Sequence, residues 1–350
     1  MKPILKSPGG KSYRLSFVRS LLADFPCDRY RYWELMVGGG AIFFDVGPRF
    51  KSRAISDISP ELINVYEVVK TDVEGLIAEL QNGSYFFISK SDPATATNYR
   101  RIRDWNPSSP IERAARWIYL MKTCFNGLSR SNLSGQFNTA PGSYINPVIC
   151  DPKHLRDASR ALAGAAIGRP DAIKLIPSIP KSVPTLLVVD PPYDSDEEGK
   201  FTGFYGQFTR EQHGSLVHAM IESGHRFLYF NRVTSFIKDL FAGSGATMLE
   251  FPLTHSIQPK YTEGLVEAEL VVHNLPANAA ISASPPAMGG RDGPTRAWTA
   301  TGGFHEILLT PREYESLVAA ERQTGIPANE MARGAIRQFL TIGADGSSPS

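Results

Sequence analysis

Little in this sequence of 350 residues fits an exported or membrane-bound protein. It holds three cysteines, Cys27, Cys124 and Cys150. An odd number cannot close fully into internal disulfides, and their spacing matches no metal-binding pattern. A reducing compartment is therefore expected, and no metal site. No run reaches the roughly 18 apolar residues of a membrane span. The N-terminus lacks the apolar core of a signal peptide. A cytoplasmic protein without membrane contact is the expectation. An excess of one charge is also missing: 37 Lys and Arg stand against 35 Asp and Glu, a net charge of +2. Such a chain has no global basic signature of nucleic-acid binding. Any contact with DNA must come from a local face, for which Arg100, Arg101, Arg103, Arg113 and Arg116 are candidates; the first cluster fits a solvated charged loop equally well.

What is present is ordinary globular composition, 42% apolar and 21% charged, in a chain long enough for a large domain and a small one. The first two-thirds alternates strand-like and helix-like runs, the pattern of an α/β fold. Strands are predicted at Tyr32 to Val37, Ala54 to Ser56, Leu186 to Val189 and Arg226 to Phe230, with a late edge strand at Ala268 to Val272. Helices are predicted at Glu61 to Val69, resuming at Glu74 to Leu80, and near Ser235 to Phe241. Between residues 81 and 150 polar loops dominate, with one helical run from Ile111 to Cys124. Residues 276–303 have the Ala, Ser, Pro and Gly composition of a linker. Beyond them a short strand, Phe304 to Leu309, precedes two amphipathic helical patterns. The first opens on a capping box at Thr310 to Glu313 with Pro311 at its first helical position.

The most informative residues are Asp190-Pro191-Pro192-Tyr193. They end the apolar run Leu186 to Val189, which reads as a buried strand. Both prolines fix φ and lack an N–H, so this edge offers acceptors and an aromatic face. That set suits a planar substrate with an exocyclic amine: a carboxylate and a carbonyl accept its two hydrogens while the ring stacks on it. The same residues also fit a plain strand-end turn with a partly buried tyrosine. A second pattern is Glu34 to Phe44, where Gly38, Gly39 and Gly40 follow a strand and let a ligand approach the backbone. Asp57 closes the next strand, 17 residues beyond Gly40. There a Rossmann-like fold puts an acid for ribose hydroxyls. This pair alone also fits an NAD-dependent dehydrogenase.

Taken in order, the blocks Ser7 to Lys11, Glu34 to Phe44, Ser56 to Asn64, Phe125 to Asn132, Gly135 to Gly142 and Asp190 to Tyr193 resemble the Dam-like (D12 class) DNA adenine N6-methyltransferases. The resemblance covers about residues 5–275. It implies an α/β, Rossmann-like S-adenosylmethionine-dependent methyltransferase sheet, from residues 1–80 and 145–275. A mainly helical target-recognition subdomain, residues 81–144, would be inserted in it. S-adenosylmethionine is the implied cofactor and double-stranded DNA the implied partner. The implied cofactor contacts are Ser7, Pro8, Gly9, Gly10, Lys11, Glu34, Val37, Gly38, Gly39, Gly40, Asp57, Ile58 and Asp190, with Lys11 pairing the methionine carboxylate. Asp190, Pro191, Pro192 and Tyr193 become the catalytic set, acting on an adenine flipped from the duplex. Stacking on that base needs only an aromatic ring at 193. Asn126, Leu128, Arg130, Asn132 and Pro141 become DNA contacts, with Arg130 on a guanine. A site containing GAT is implied, GATC above all.

The chain departs from the family at Ser7, where Trp is usual, at Met36, where Phe is usual, and at Thr139-Ala140 before Pro141. Methylation of cytosine N4 presents the same amine chemistry, although that group more often has Ser in place of Asp190. A DNA-binding regulator without activity is the reading from another class. Residues 304–340 resemble a ribbon-helix-helix module, in which the strand pairs with a second chain; a homodimer would follow. A helical hairpin on the main domain fits the same pattern.

Overall fold

A computed structural model describes residues 1–5, 9–128, 137–194, 208–252 and 268–276, together with two short strands at 295–297 and 307–309. The chain divides into two compact units, Met1–Leu15 with Phe25–Pro276, and Ser16–Asp24 with Ala277–Ser350. A short helix, α1 (Leu15–Leu21), comes first. Then follow β1 (Arg31–Leu35), α2 (Ala41–Val46), β2 (Ser52–Ser56), α3 (Pro60–Thr71), α4 (Val73–Gln81), α5 (Pro93–Asp104) and α6 (Pro110–Thr123). The order continues with α7 (Pro152–Leu162), β3 (Ala166–Gly168), α8 (Ala172–Leu175), β4 (Thr185–Val189), α9 (Arg210–Ser223), β5 (Arg226–Arg232) and α10 (Ser235–Leu240). Last in the first unit are β6 (Thr247–Pro252) and β7 (Ala268–His273).

These strands form one seven-stranded sheet in the order β3-β2-β1-β4-β5-β7-β6. Strands β3, β2, β1, β4 and β5 are parallel, and β7 runs antiparallel to both β5 and β6. This mixed sheet with helices on both faces is the α/β architecture expected. The completely buried strand Thr185–Val189 sits at its centre, as a continuous apolar run in a parallel sheet should. One face buries Leu35, Leu187, Val189, Phe227, Tyr229, Leu270 and Val272 against Leu216 and Met220 of α9 and Ile237 of α10. On the other, the Tyr32 ring lies 6.1 Å from Phe43 and 5.2 Å from Phe50.

The order of connection reverses between β1 and β4, and ligands bind at the carboxyl ends of strands at such a switch. Register pairs Leu35 with Val189, so the residues after each leave the sheet side by side. The glycine turn and Asp190 are neighbours for this reason.

Several sequence expectations need correction. The strand at 268–273 is not an edge strand: it is inserted between β5 and β6, and Thr247–Pro252 takes the edge. The polar stretch after residue 81 contains α5 as well as α6. Asp92 caps α5 by accepting from the Thr95 N–H at 2.6 Å, and Pro93 occupies its first turn. Helix α7 starts in the same manner on Asp151 and Pro152. Tyr32 to Val37 is broken as a strand at Met36, which takes a positive φ of 58°.

In the second unit, Thr295–Ala297 pairs antiparallel with Ile307–Leu309, matching Thr295 to Leu309. The linker composition thus conceals a strand, and the one predicted from residue 304 pairs within its own chain. The two helical patterns that follow lie outside the described residues.

Candidate active site

The turn after β1 is built by backbone strain and two straps. Met36, Gly38 and Gly40 all have positive φ, at 58°, 50° and 71°. Only glycine adopts that region without penalty, which explains the run of glycines. A Cβ on Gly40 would come within 3.1 Å of both the Phe44 ring and the Tyr66 hydroxyl. From one side the Tyr66 hydroxyl donates to the Gly38 carbonyl at 2.6 Å. From the other, Asp57 Oδ2 accepts the Gly38 N–H at 3.0 Å, while its Oδ1 accepts the Ser59 N–H at 2.9 Å. Asp57 is buried, and burial raises its carboxyl above the usual range. Backbone hydrogen bonds from Gly38, Ser59 and Ile58 oppose that rise. Ile58, beside it, is 65% exposed, unusual for an isoleucine next to a pocket.

A concave site opens between this turn, Gly9 to Lys11 and β4. Gly9, Gly10, Lys11, Glu34, Val37, Gly38, Gly39, Gly40 and Asp190 line it, with Ala41 and Ile42. The structure therefore brings together nine of the thirteen sequence-predicted cofactor residues. Ser7 and Pro8 lie outside the described residues, and Asp57 and Ile58 are not among the lining residues. At the floor, Glu34 is buried and accepts from the Tyr32 hydroxyl at 2.5 Å. Burial pushes its carboxyl up to about 8.

Asp190 leaves β4 at the mouth of this site. Its Oδ2 accepts from Lys11 Nζ at 2.6 Å, and its Oδ1 is buried with no hydrogen-bond partner. Burial pushes the carboxyl up to about 6, with Lys11 opposing that rise. This oxygen can accept a hydrogen bond from a group bound at the site. Lys11 is itself 3% exposed and also donates to the Gly9 carbonyl at 2.7 Å. The sequence reading gives its charge to a ligand carboxylate; here Asp190 takes it. Pro191 is buried, whereas Pro192 and Tyr193 are partly exposed.

Behind this edge stands a group that sequence reasoning missed. Glu269, near the start of β7, has no exposed surface. Its Oε1 accepts from the Tyr13 hydroxyl at 2.7 Å and from the Tyr193 hydroxyl at 2.5 Å. Its Oε2 accepts from Arg14 Nε at 2.5 Å, and Lys11 Nζ stands 3.9 Å away. A lone acid inside the apolar strand Ala268-Glu269-Leu270-Val271-Val272 was the available signal, since carboxylates are almost never buried without partners. The residue after Tyr193, Asp194, is also buried: it accepts from Arg210 at 3.1 Å and from the Thr234 hydroxyl at 2.9 Å. Its own N–H is held by Asn231 Oδ1 at 2.9 Å. Tyr193 is thus anchored through its hydroxyl and through its chain neighbour.

The predicted recognition block is clamped at its base. Phe125 N–H donates to the Ala140 carbonyl at 2.8 Å, and Gly142 N–H to the Thr123 carbonyl at 2.8 Å. The Thr139 hydroxyl donates to the Leu128 carbonyl at 2.6 Å. These bonds bring Asn126, Leu128 and Pro141 together; Asn126 holds a positive φ of 54° at the bend. Arg130 and Asn132 lie outside the described residues. Arginines of the predicted basic face also make contacts within the chain. Arg113 pairs with Glu61 at 2.6 Å, Arg103 with Asp104 at 2.8 Å, and Arg116 donates to the Ile102 carbonyl at 2.9 Å. None of the described helices is long and apolar enough to cross a membrane.

The chain is similar to several known proteins. A type II methyltransferase of Methanocaldococcus jannaschii is 38% identical over 48% of this chain, a stretch spanning 61% of that relative. One from Paramecium bursaria Chlorella virus NC1A is 29% identical over 69% of the chain and 87% of its own length. A DNA adenine methylase of Haemophilus influenzae is 30% identical over 69% of the chain and 84% of its own length. Residues 7–250 match the family described as D12 class N6 adenine-specific DNA methyltransferases. The chain belongs to that family.

Proposed function

We propose that this protein transfers a methyl group from S-adenosylmethionine to N6 of an adenine flipped out of duplex DNA. The orphaned Oδ1 of Asp190, at the carboxyl edge of β4 and on the border of a glycine-lined cleft, carries the reading.

The residues present fit the cofactor. Glycines at positive φ open the backbone for close approach, and Glu34 and Asp57 offer acceptors for hydroxyl or amine groups. Once bound, S-adenosylmethionine supplies an electrophilic methyl on sulfur, and the protein's part is binding and orientation. Adenine N6 is a weak nucleophile because its lone pair is delocalised into the ring. Asp190 Oδ1 and the Pro191 carbonyl would accept its two hydrogens and localise that pair. Alignment of two bound reactants supplies up to roughly 7–11 kcal/mol of barrier reduction. Asp190 is also suited to receive the proton released after transfer, because its carboxyl is already pushed up to about 6. The Tyr193 ring would stack on the base. No covalent intermediate is needed, and burial raises the Cys27 and Cys150 thiols, disfavouring thiolate.

We carry over Arg130 as the reader of a guanine in a GAT-containing site, with GATC as the first sequence to test. Arg130→Ala should relax discrimination at that base by about 1–3 kcal/mol. The direct test is methyl transfer from labelled S-adenosylmethionine to duplexes with and without GATC, followed by nucleoside analysis. N6-methyladenine confined to GATC supports both parts. The same product elsewhere keeps the chemistry and discards the specificity. N4-methylcytosine, or no transfer, overturns the reading.

A further inference from the structure

We propose that Glu269 is a positioning residue for the methyl transfer. It tethers the Tyr193 ring through its hydroxyl and steadies Lys11, and so sets the edge against which the target base rests. The inference deepens the function proposed above and rests on it.

Stacking alone does not call for a tyrosine, because phenylalanine presents the same face. Here the hydroxyl has a defined role, donating at 2.5 Å to a carboxylate with no exposed surface. That carboxylate joins three segments remote in sequence. Tyr13 and Arg14 reach it from the N-terminal segment, Tyr193 from the end of β4, and Glu269 itself rises from β7. Lys11 Nζ is 3.9 Å from Glu269 Oε1 and 2.6 Å from Asp190 Oδ2, and it stands 5.0 Å from the centre of the Tyr193 ring. Glu269 thus bonds the Tyr193 hydroxyl directly and lies near the Lys11 ammonium that pairs with Asp190. The direction of β7 makes this possible. Because β7 is antiparallel, Glu269 lies opposite Arg232, the last residue of β5, at the carboxyl edge of the sheet. A parallel strand would have carried it to the far edge.

A buried carboxylate with this many donors also stabilises the fold, so the decisive readouts are kinetic and optical. The variants are Tyr193→Phe, Glu269→Gln and the two combined. Measurements are kcat and KM for duplex DNA, cofactor affinity by calorimetry, and the emission of 2-aminopurine placed at the target adenine. Tyr193→Phe is expected to lower kcat about tenfold and to alter the 2-aminopurine signal, the change typical of losing a hydrogen bond to a charged group. Cofactor affinity should stay within about threefold, since the hydroxyl bonds to Glu269 and not to the glycine turn. Glu269→Gln should lower kcat at least as much, and adding Tyr193→Phe to it should then change little, because both remove one contact.

Additive losses, or unchanged kcat and emission in Tyr193→Phe, would overturn the tether. If Glu269→Gln does not fold, Glu269→Asp replaces it, withdrawing the carboxylate by one methylene while keeping its charge; a wild-type kcat in that variant also overturns the inference. A wild type that shows no transfer sinks the proposed function and takes this inference with it. An active wild type with unaffected variants sinks the tether alone.

Discussion

Lys11 Nζ lies 2.6 Å from Asp190 Oδ2, an ion pair made across 179 residues of sequence. Lys11 is the largest influence that opposes the effect of burial on Asp190, whose carboxyl still rises to about 6. Removing the ammonium removes a factor that lowers this value. In Lys11→Met the acid limb of kcat/KM should therefore move to higher pH, because Asp190 must be ionised to accept the amine hydrogens. A pH–rate profile checks it, and an acid limb that stays in place would deny Lys11 this role.

Asp190→Ala is expected to lower turnover by at least about a hundredfold, the scale on which a positioned acceptor or base acts. Cofactor binding should persist, because the glycine turn is strapped by Asp57 and Tyr66 and not by Asp190. Single-turnover assays with calorimetric titration separate the two effects. Methylation at the normal rate would end the catalytic assignment of Asp190.

Gly40→Ala should weaken the cofactor site and the fold together. Its φ of 71° is strained for any residue with a Cβ, and that Cβ would press on Phe44 and on the Tyr66 hydroxyl. A destabilisation of about 1–2 kcal/mol is expected from the left-handed conformation alone. The check is thermal melting with and without S-adenosylmethionine: the variant should show both a lower Tm and a smaller ligand-induced rise.

Glu34 gives a pH dependence of stability. Its carboxyl is ordinarily near 4.5 and is pushed up to about 8 in the folded chain, chiefly by burial. Between these values the folded state holds a proton that the unfolded state has lost. Stability contributed by the protonated form is therefore complete below 4.5 and falls as pH rises toward 8. Glu34→Gln should flatten that decline in Tm between about pH 5 and 8. A wild-type slope identical to that of the variant would mean that Glu34 is ionised at little cost.

The buried strand that ends at Asp190 and the glycine turn were legible because their signals are local. A strand followed by Asp-Pro-Pro-Tyr, or by three glycines, states its backbone geometry within a few residues. The clamp at the base of the predicted recognition block was not legible, since Thr139 to Leu128 and Phe125 to Ala140 are bonds that no periodicity announces. Helix α5 escaped notice for a different reason. Its sequence, PATATNYRRIRD, has little apolar content, and its N-terminal signal is the pair Asp92-Pro93. The contacts that Arg113, Arg103 and Arg116 make within the fold could not be read from the sequence, because most of their partners are remote along the chain.

By itself the sequence determined the α/β class, the buried central strand, the strained turn and the chemistry offered by Asp190 to Tyr193. These follow from φ restrictions, from apolar runs and from the spacing of neighbouring residues. The tertiary structure alone decided that β7 enters between β5 and β6, that Lys11 faces Asp190, and that Glu269 gathers Tyr13, Arg14 and Tyr193. The physical reason is that strand order and direction depend on pairing between distant segments. A buried anion finds its partners only after those segments have met.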